Sequence, residues 1–158
     1  MRKLVAILAV MIGGCAHRPE PVQSPPGRIA ELHIITSPVG LNVDNRPGTD
    51  AFSMKVYAND RRNPKTIPIE QGTLEILMFD GTFFGKTKLP PPIRTWSYEA
   101  GDLKLHQVQS AIGAGYDFLL VWGTNRPTQR LITVRARHTR PDGSTVYSDA
   151  SSVTVIEK

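Results

Sequence analysis

The chain has 158 residues, 19 of them lysine or arginine and 14 aspartate or glutamate, with a single cysteine. That length suits one domain of ordinary size, and one cysteine excludes an internal disulfide, so the fold must rest on its apolar core. The formal charge of +5 is modest and spread along the chain, which speaks for solubility and against nucleic-acid binding.

The N-terminus reads Met1, Arg2, Lys3, then Leu4 to Ile12 without a charge, then Gly13-Gly14-Cys15. A cationic start, an apolar run and a small-residue zone are the parts of an export signal. Nine apolar residues in a helix cover roughly 14 Å, against ~30 Å for a bilayer core, so the run does not anchor the chain by spanning. Ile12-Gly13-Gly14-Cys15 resembles the lipobox of bacterial lipoproteins. The resemblance implies cleavage before Cys15, a diacylglycerol on its sulfur and an acyl chain such as palmitate on the new α-amine. Ala16, standing where an aspartate would retain the protein at the inner membrane, implies sorting to the outer membrane. Two or more acyl chains give a stable anchor where one gives marginal binding. Loss of Arg2 and Lys3 would leave 17 basic residues against 14 acidic ones.

Residues 16–28 (AHRPEPVQSPPGR) hold Pro19, Pro21, Pro25 and Pro26 and almost no large apolar side chain. Such a stretch is a semi-rigid spacer of about 3 Å per residue, long enough to hold a domain up to roughly 40 Å from lipid. The expected organisation is a signal peptide at 1–14, a lipidated cysteine and Pro-rich tether at 15–28, and a folded domain at 29–158.

From Glu31 onward the texture is that of short β-strands. Leu32 to Thr36 is the first, ended by Ser37-Pro38. Phe52, Met54 and Val56 alternate with Ser53, Lys55 and Tyr57. Thr73 to Phe79 is nearly continuous in apolar residues and fits a central strand covered on both faces. Arg94 to Glu99 alternates around Trp96 and Tyr98. Asp102 is placed to cap a helix with Leu105, Val108 and Ile112 at helical spacing and Gly113 as its stop. Gly113-Ala114-Gly115 then reads as a loop. In Tyr116 to Trp122, Tyr116, Phe118, Leu120 and Trp122 share one face and Leu119 and Val121 the other. Leu131 to Thr139 alternates again, and Pro141-Asp142-Gly143 turns it into Thr145 to Tyr147. Ser152 to Ile156 comes last. About eight strands with one short helix predict an all-β antiparallel sandwich of immunoglobulin-, transthyretin- or C2-like topology.

Chemistry-bearing residues are sparse. His17, His33, His106 and His138 are scattered, and there is no nucleophile elbow or phosphate-cradling loop. Asp44, Asp50, Asp60, Asp80 and Asp149 are the best metal candidates, since strand-end aspartates can converge at one tip and bind calcium. The preferred reading is that they fall in turns, where aspartate bonds locally, and that Arg46, Arg61 and Arg62 beside two of them would compete with a divalent ion. Arg130, Arg135, Arg137 and Arg140 read as charges that keep a strand edge soluble rather than as a polymer site. Trp96 and Trp122 sit in apolar alternation and are expected in the core rather than as a sugar platform.

Leu41-Asn42-Val43-Asp44 followed by Phe52 to Tyr57 looks like the opening of the outer-membrane lipoprotein of type VI secretion. That family is a transthyretin-like sandwich that docks an inner-membrane partner. The likeness covers fewer than about 20 residues, Ala58-Asn59 replace the family's Leu-Lys, and no binding residues carry over. The expected function is a membrane-anchored lipoprotein presenting a non-enzymatic β-sandwich as a binding or scaffolding module in the cell envelope, facing the periplasm. Its expected partners are the membrane, through lipid on Cys15, and an envelope protein or polymer, with no cofactor, metal or nucleic acid. The alternatives are a component of an envelope secretion complex and an envelope carbohydrate-acting hydrolase, which needs two close carboxylates of raised pKa.

Overall fold

A computed structural model describes residues 28–61, 65–83 and 89–156; the signal sequence, Cys15, His17, the tether prolines and Arg62 lie outside them. Among the described residues nine strands form two sheets. In chain order they are β1 (Glu31–Thr36), β2 (Ala51–Asn59), β3 (Thr73–Asp80), β4 (Arg94–Glu99), β5 (Gln107–Ser110), β6 (Gly113–Val121), β7 (Leu131–Thr139), β8 (Thr145–Tyr147) and β9 (Ser151–Thr154). One sheet has the order β1-β2-β6-β5 and the other β4-β3-β7-β8, with β9 also on β7. This is an antiparallel sandwich. Of the three topologies the sequence left open, the strand order is that of the immunoglobulin arrangement, with ABED facing an extended CFG sheet.

Period-two alternation places the core. In the first sheet Phe52 faces Leu120, Met54 faces Phe118 and Val56 faces Tyr116. In the second, Ile76 lies between Trp96 and the small Ala136, and Met78 is opposite Val134. These side chains form one contiguous cluster. Fully burying each large aliphatic or aromatic residue contributes about 1.5–3 kcal/mol relative to leaving it exposed. Trp122 is fully buried (0% exposed) and stacks at 6.4 Å on Phe52, while Trp96 meets the same ring edge-on at 5.8 Å. Central strand β3 is covered on both faces as expected, its outer Phe79 lying against Phe83.

The helix is shorter than the sequence predicts. It comprises Ala100–Leu103, continued by a 3₁₀ turn over Lys104–His106. Glu99 is the N-cap, and Asp102 lies three residues inside the helix, its carboxylate accepting the Glu99 N–H at 3.3 Å. Val108 belongs to β5, and Ile112 is an exposed turn residue. The apparent helical stripe has no surface to bury against: Leu105 is 88% exposed, and Leu103 is the buried residue of the element. Gly113-Ala114-Gly115 is likewise not a loop but the start of β6. Gly113 has φ +116°, and a Cβ on Gly115 would lie 2.5 Å from the Tyr57 ring. Positive φ where β6 leaves its two-residue turn from β5 requires Gly113, and close approach requires Gly115.

The two long sides of the sandwich are built differently. On the β1 side, the chain after β1 crosses between the sheets. Thr154 N–H donates to Pro38 O (2.9 Å), Gly40 N–H to Thr154 O (2.8 Å), and Leu41 N–H to Ala51 O (2.7 Å). Thr36 and Ser151 join their hydroxyls at 2.7 Å. On the opposite side β5 and β4 are the sheet edges, and the helix with its 3₁₀ turn spans between them. There the His106 ring lies against Tyr98 and Phe118, with centroids 5.1 and 4.6 Å away.

Candidate functional site

A cleft of about 480 Å³ opens on this second side, at the end of the sandwich where β2 leaves and β3 begins. Its walls are Pro68, Ile69 and Glu70 from the β2–β3 connection, the helix with Lys104, and Gln107 and Tyr116 from β5 and β6. The size is within the range of small-ligand sites.

The connection is held as an irregular extra rung of the first sheet. Thr66 N–H donates to Ile112 O at 2.9 Å, its hydroxyl donates to Ala114 O at 2.6 Å, and Ile67 N–H donates to Ala58 O at 2.8 Å. Gly113 permits this approach, since a Cβ there would lie 2.6 Å from Thr66 Oγ1. Ile69, Leu103 and Tyr116 are buried and form the floor; Glu70, Lys104 and Gln107 are exposed at the rim.

Tyr116 is the distinctive member. Only 2% exposed, it accepts the Ile69 N–H on its phenol oxygen at 2.6 Å. Among the described residues nothing accepts the phenol's own proton. Burial pushes its pKa up, the Ile69 amide pulls the other way, and the nearby Glu70 charge adds to the rise. The group therefore remains a neutral donor at ordinary pH. Glu70 and Lys104 form no ion pair with each other or with another described residue.

The residues singled out in the sequence are placed elsewhere. Arg137 pairs with Glu75 at 2.6 Å, a contact that raises its pKa and keeps it charged. Arg135 forks onto Ser148 O at 3.0 and 2.8 Å, at the break between β8 and β9. Arg140 donates to Ile29 O, tying the start of the domain to the β7–β8 turn, and to Ser144 Oγ at 2.7 Å. Arg130 is exposed. Three of the four arginines thus hold the fold together.

Asp44, Asp50 and Asp80 are at the end of the sandwich where β3 finishes, Asp60 follows β2 at the other end, and Asp149 lies between β8 and β9. Asp50 accepts the Val43 amide at 2.8 Å and Asp44 the Arg46 amide at 2.9 Å. Asp80 accepts amides of Thr128 and Gln129, both at 3.0 Å. Burial works against its ionisation, but bonds from the Thr128 hydroxyl and the two amides outweigh that and hold its pKa below the usual range. Among the described residues no three His, Cys, Asp or Glu side chains gather as metal ligands, and no helix is long and apolar enough to cross a membrane. His33 is exposed beside Glu31, and His138 is buried, bonding Gln71 O at 2.9 Å.

The segments behind the secretion-lipoprotein likeness are structural here: Leu41 pairs with Ala51, and Phe52, Met54 and Val56 are core. Comparisons with protein-family models, with curated proteins and with solved structures find no match to this chain. The cleft itself was missed in the sequence because its parts come from three separated segments. The one local signal is Ile67-Pro68-Ile69, two apolar residues around a proline where the core pattern is otherwise silent.

Proposed function

We propose that the protein is a lipid-anchored envelope lipoprotein whose sandwich is a non-enzymatic binding module, with the cleft beside the short helix as its recognition site. The observation that carries this is the cleft's chemistry: a buried phenol whose proton has no acceptor among the described residues, with a rim carboxylate and a rim ammonium that form no ion pair with another described residue. Those are recognition groups. Among the described residues Glu70 is the one carboxylate lining the cleft, whereas glycoside hydrolysis uses a pair. The anchor rests on the Ile12 to Cys15 motif and the Pro-rich spacer that ends where Ile29 enters the core.

Metabolic labelling with a fatty-acid analogue tests the anchor in the full-length chain. Wild type is expected to take up label and fractionate with membranes, and Cys15→Ser to lose both, because a hydroxyl is a poorer nucleophile than a thiol. Equal labelling of the two would overturn the anchoring.

A further inference from the structure

The ligand class follows from how charge is arranged around the cleft, and naming it rests on the cleft being the recognition site. An anionic ligand would meet Glu70 and a cationic one Lys104, each as a like charge. An apolar ligand would shut the buried Tyr116 O–H away from water without a partner, at the cost of an unsatisfied polar group. A molecule bearing both charges satisfies the whole set. We propose that the cleft binds a short zwitterionic peptide, its carboxylate toward Lys104 and the Tyr116 O–H, its ammonium toward Glu70, and its small side chain on Ile69 and Leu103.

Two further observations favour a peptide over other polar ligands. Saccharide sites present an aromatic face for stacking, but the ring in this wall is 2% exposed, Trp122 is in the core, and the half-buried Trp96 packs edge-on against Phe52 and does not line the cleft. Gln107 in the cleft is also the first residue of β5, which is the last strand of its sheet. The backbone of a peptide lying in the cleft is therefore beside an open strand edge with which it can pair.

The test is titration of the purified full-length chain with alanyl-alanine, followed by calorimetry and by NMR shifts. Two matched probes accompany it: N-acetyl-alanyl-alanine amide, which lacks both charges, and diacetylchitobiose. Saturable binding of the free dipeptide in the millimolar range or tighter is expected, with shifts at Gln107 and Tyr116. Glu70→Gln and Lys104→Gln are each expected to weaken binding by about two- to fivefold, the worth of one exposed charge pair, and capping the probe, which removes both charges, by more than either. Both variants change exposed side chains and are expected to melt with wild type, so a loss of affinity is not a loss of fold. Equal binding of capped and free peptide, saturation by diacetylchitobiose in place of the dipeptide, or no saturation by the dipeptide would overturn the assignment. The fatty-acid label on Cys15 is read independently, so a wrong ligand class is distinguishable from a wrong anchor.

Discussion

On the β1 side the sandwich is locked by backbone hydrogen bonds from a segment that touches both sheets, Pro38 to Leu41, and by the Thr36–Ser151 hydroxyl pair. On the β5 side it is closed by ring contacts, by one buried leucine of a four-residue helix, and by a loop resting on the Tyr116 phenol. Backbone pairing leaves a smaller cavity, about 130 Å³ beside Thr49 and Ile156; side-chain closure leaves the cleft of about 480 Å³, an open strand edge and, among the described residues, a phenol proton that nothing accepts. Sites that admit ligands come from the less stable parts of a fold. The contrast between the sides is thus the reason for assigning recognition to the second.

The largest expected effect lies in the core common to both sides. Trp122→Ala should cost about 3–5 kcal/mol through lost burial and a cavity, measured by denaturant unfolding. An unchanged melting temperature would mean that the two sides do not share one core.

On the locked side, Ser148 bridges the break between β8 and β9: its hydroxyl accepts the Ala136 amide at 2.9 Å and donates to Asp149 O at 2.7 Å. Ser148→Ala leaves a buried N–H without an acceptor, an expected loss of about 1–3 kcal/mol. A loss as small as that of a surface change would weaken the claim that this side is held by its hydrogen bonds.

A pH scan sharpens the contrast from within. His138 donates Nε2–H to Gln71 O, which fixes the neutral tautomer, and its Nδ1 is buried without a partner among the described residues. Burial lowers its pKa from 6.5; the Gln71 carbonyl pulls the other way and the Arg140 charge adds to the lowering. A depressed folded pKa means that stability is full above the unfolded value of 6.5 and is lost as pH falls through the folded one. The melting temperature should fall as the solution is acidified below pH 6.5, and less so in His138→Gln. Gln71 begins the turn into β3, just past the cleft wall. A flat profile in wild type would remove this link between the buried ring and the loop.

The smallest effects belong to the open side: Leu105→Ser and Lys104→Gln should change stability by less than about 0.5 kcal/mol, as exposed positions do. A larger cost, read in the same denaturant unfolding, would show that the helix braces the fold rather than framing a cleft.

Strands were legible wherever one face is buried, because alternation is a direct record of a sheet's two faces. Phe52 to Val56, Tyr116 to Trp122 and Leu131 to Thr139 lie as their patterns imply. β5 left no record, since Gln107-Val108-Gln109-Ser110 is an exposed edge with one apolar residue. Leu105, Val108 and Ile112 imitated a helix because spacing alone does not say whether a partner surface exists. The cleft was illegible for another reason: Ile69, Lys104 and Tyr116 acquire meaning only through strand order, which brings β6 beside the β2–β3 connection.

Native-state hydrogen exchange tests the division between the two sides most directly. The Gly40 and Thr154 amides should exchange only through global unfolding, while the Ile69 amide, held by a side-chain oxygen, should exchange through local opening at least about a hundredfold faster. Equal protection at all three would contradict it, and with it the assignment of the β5 side as the working face.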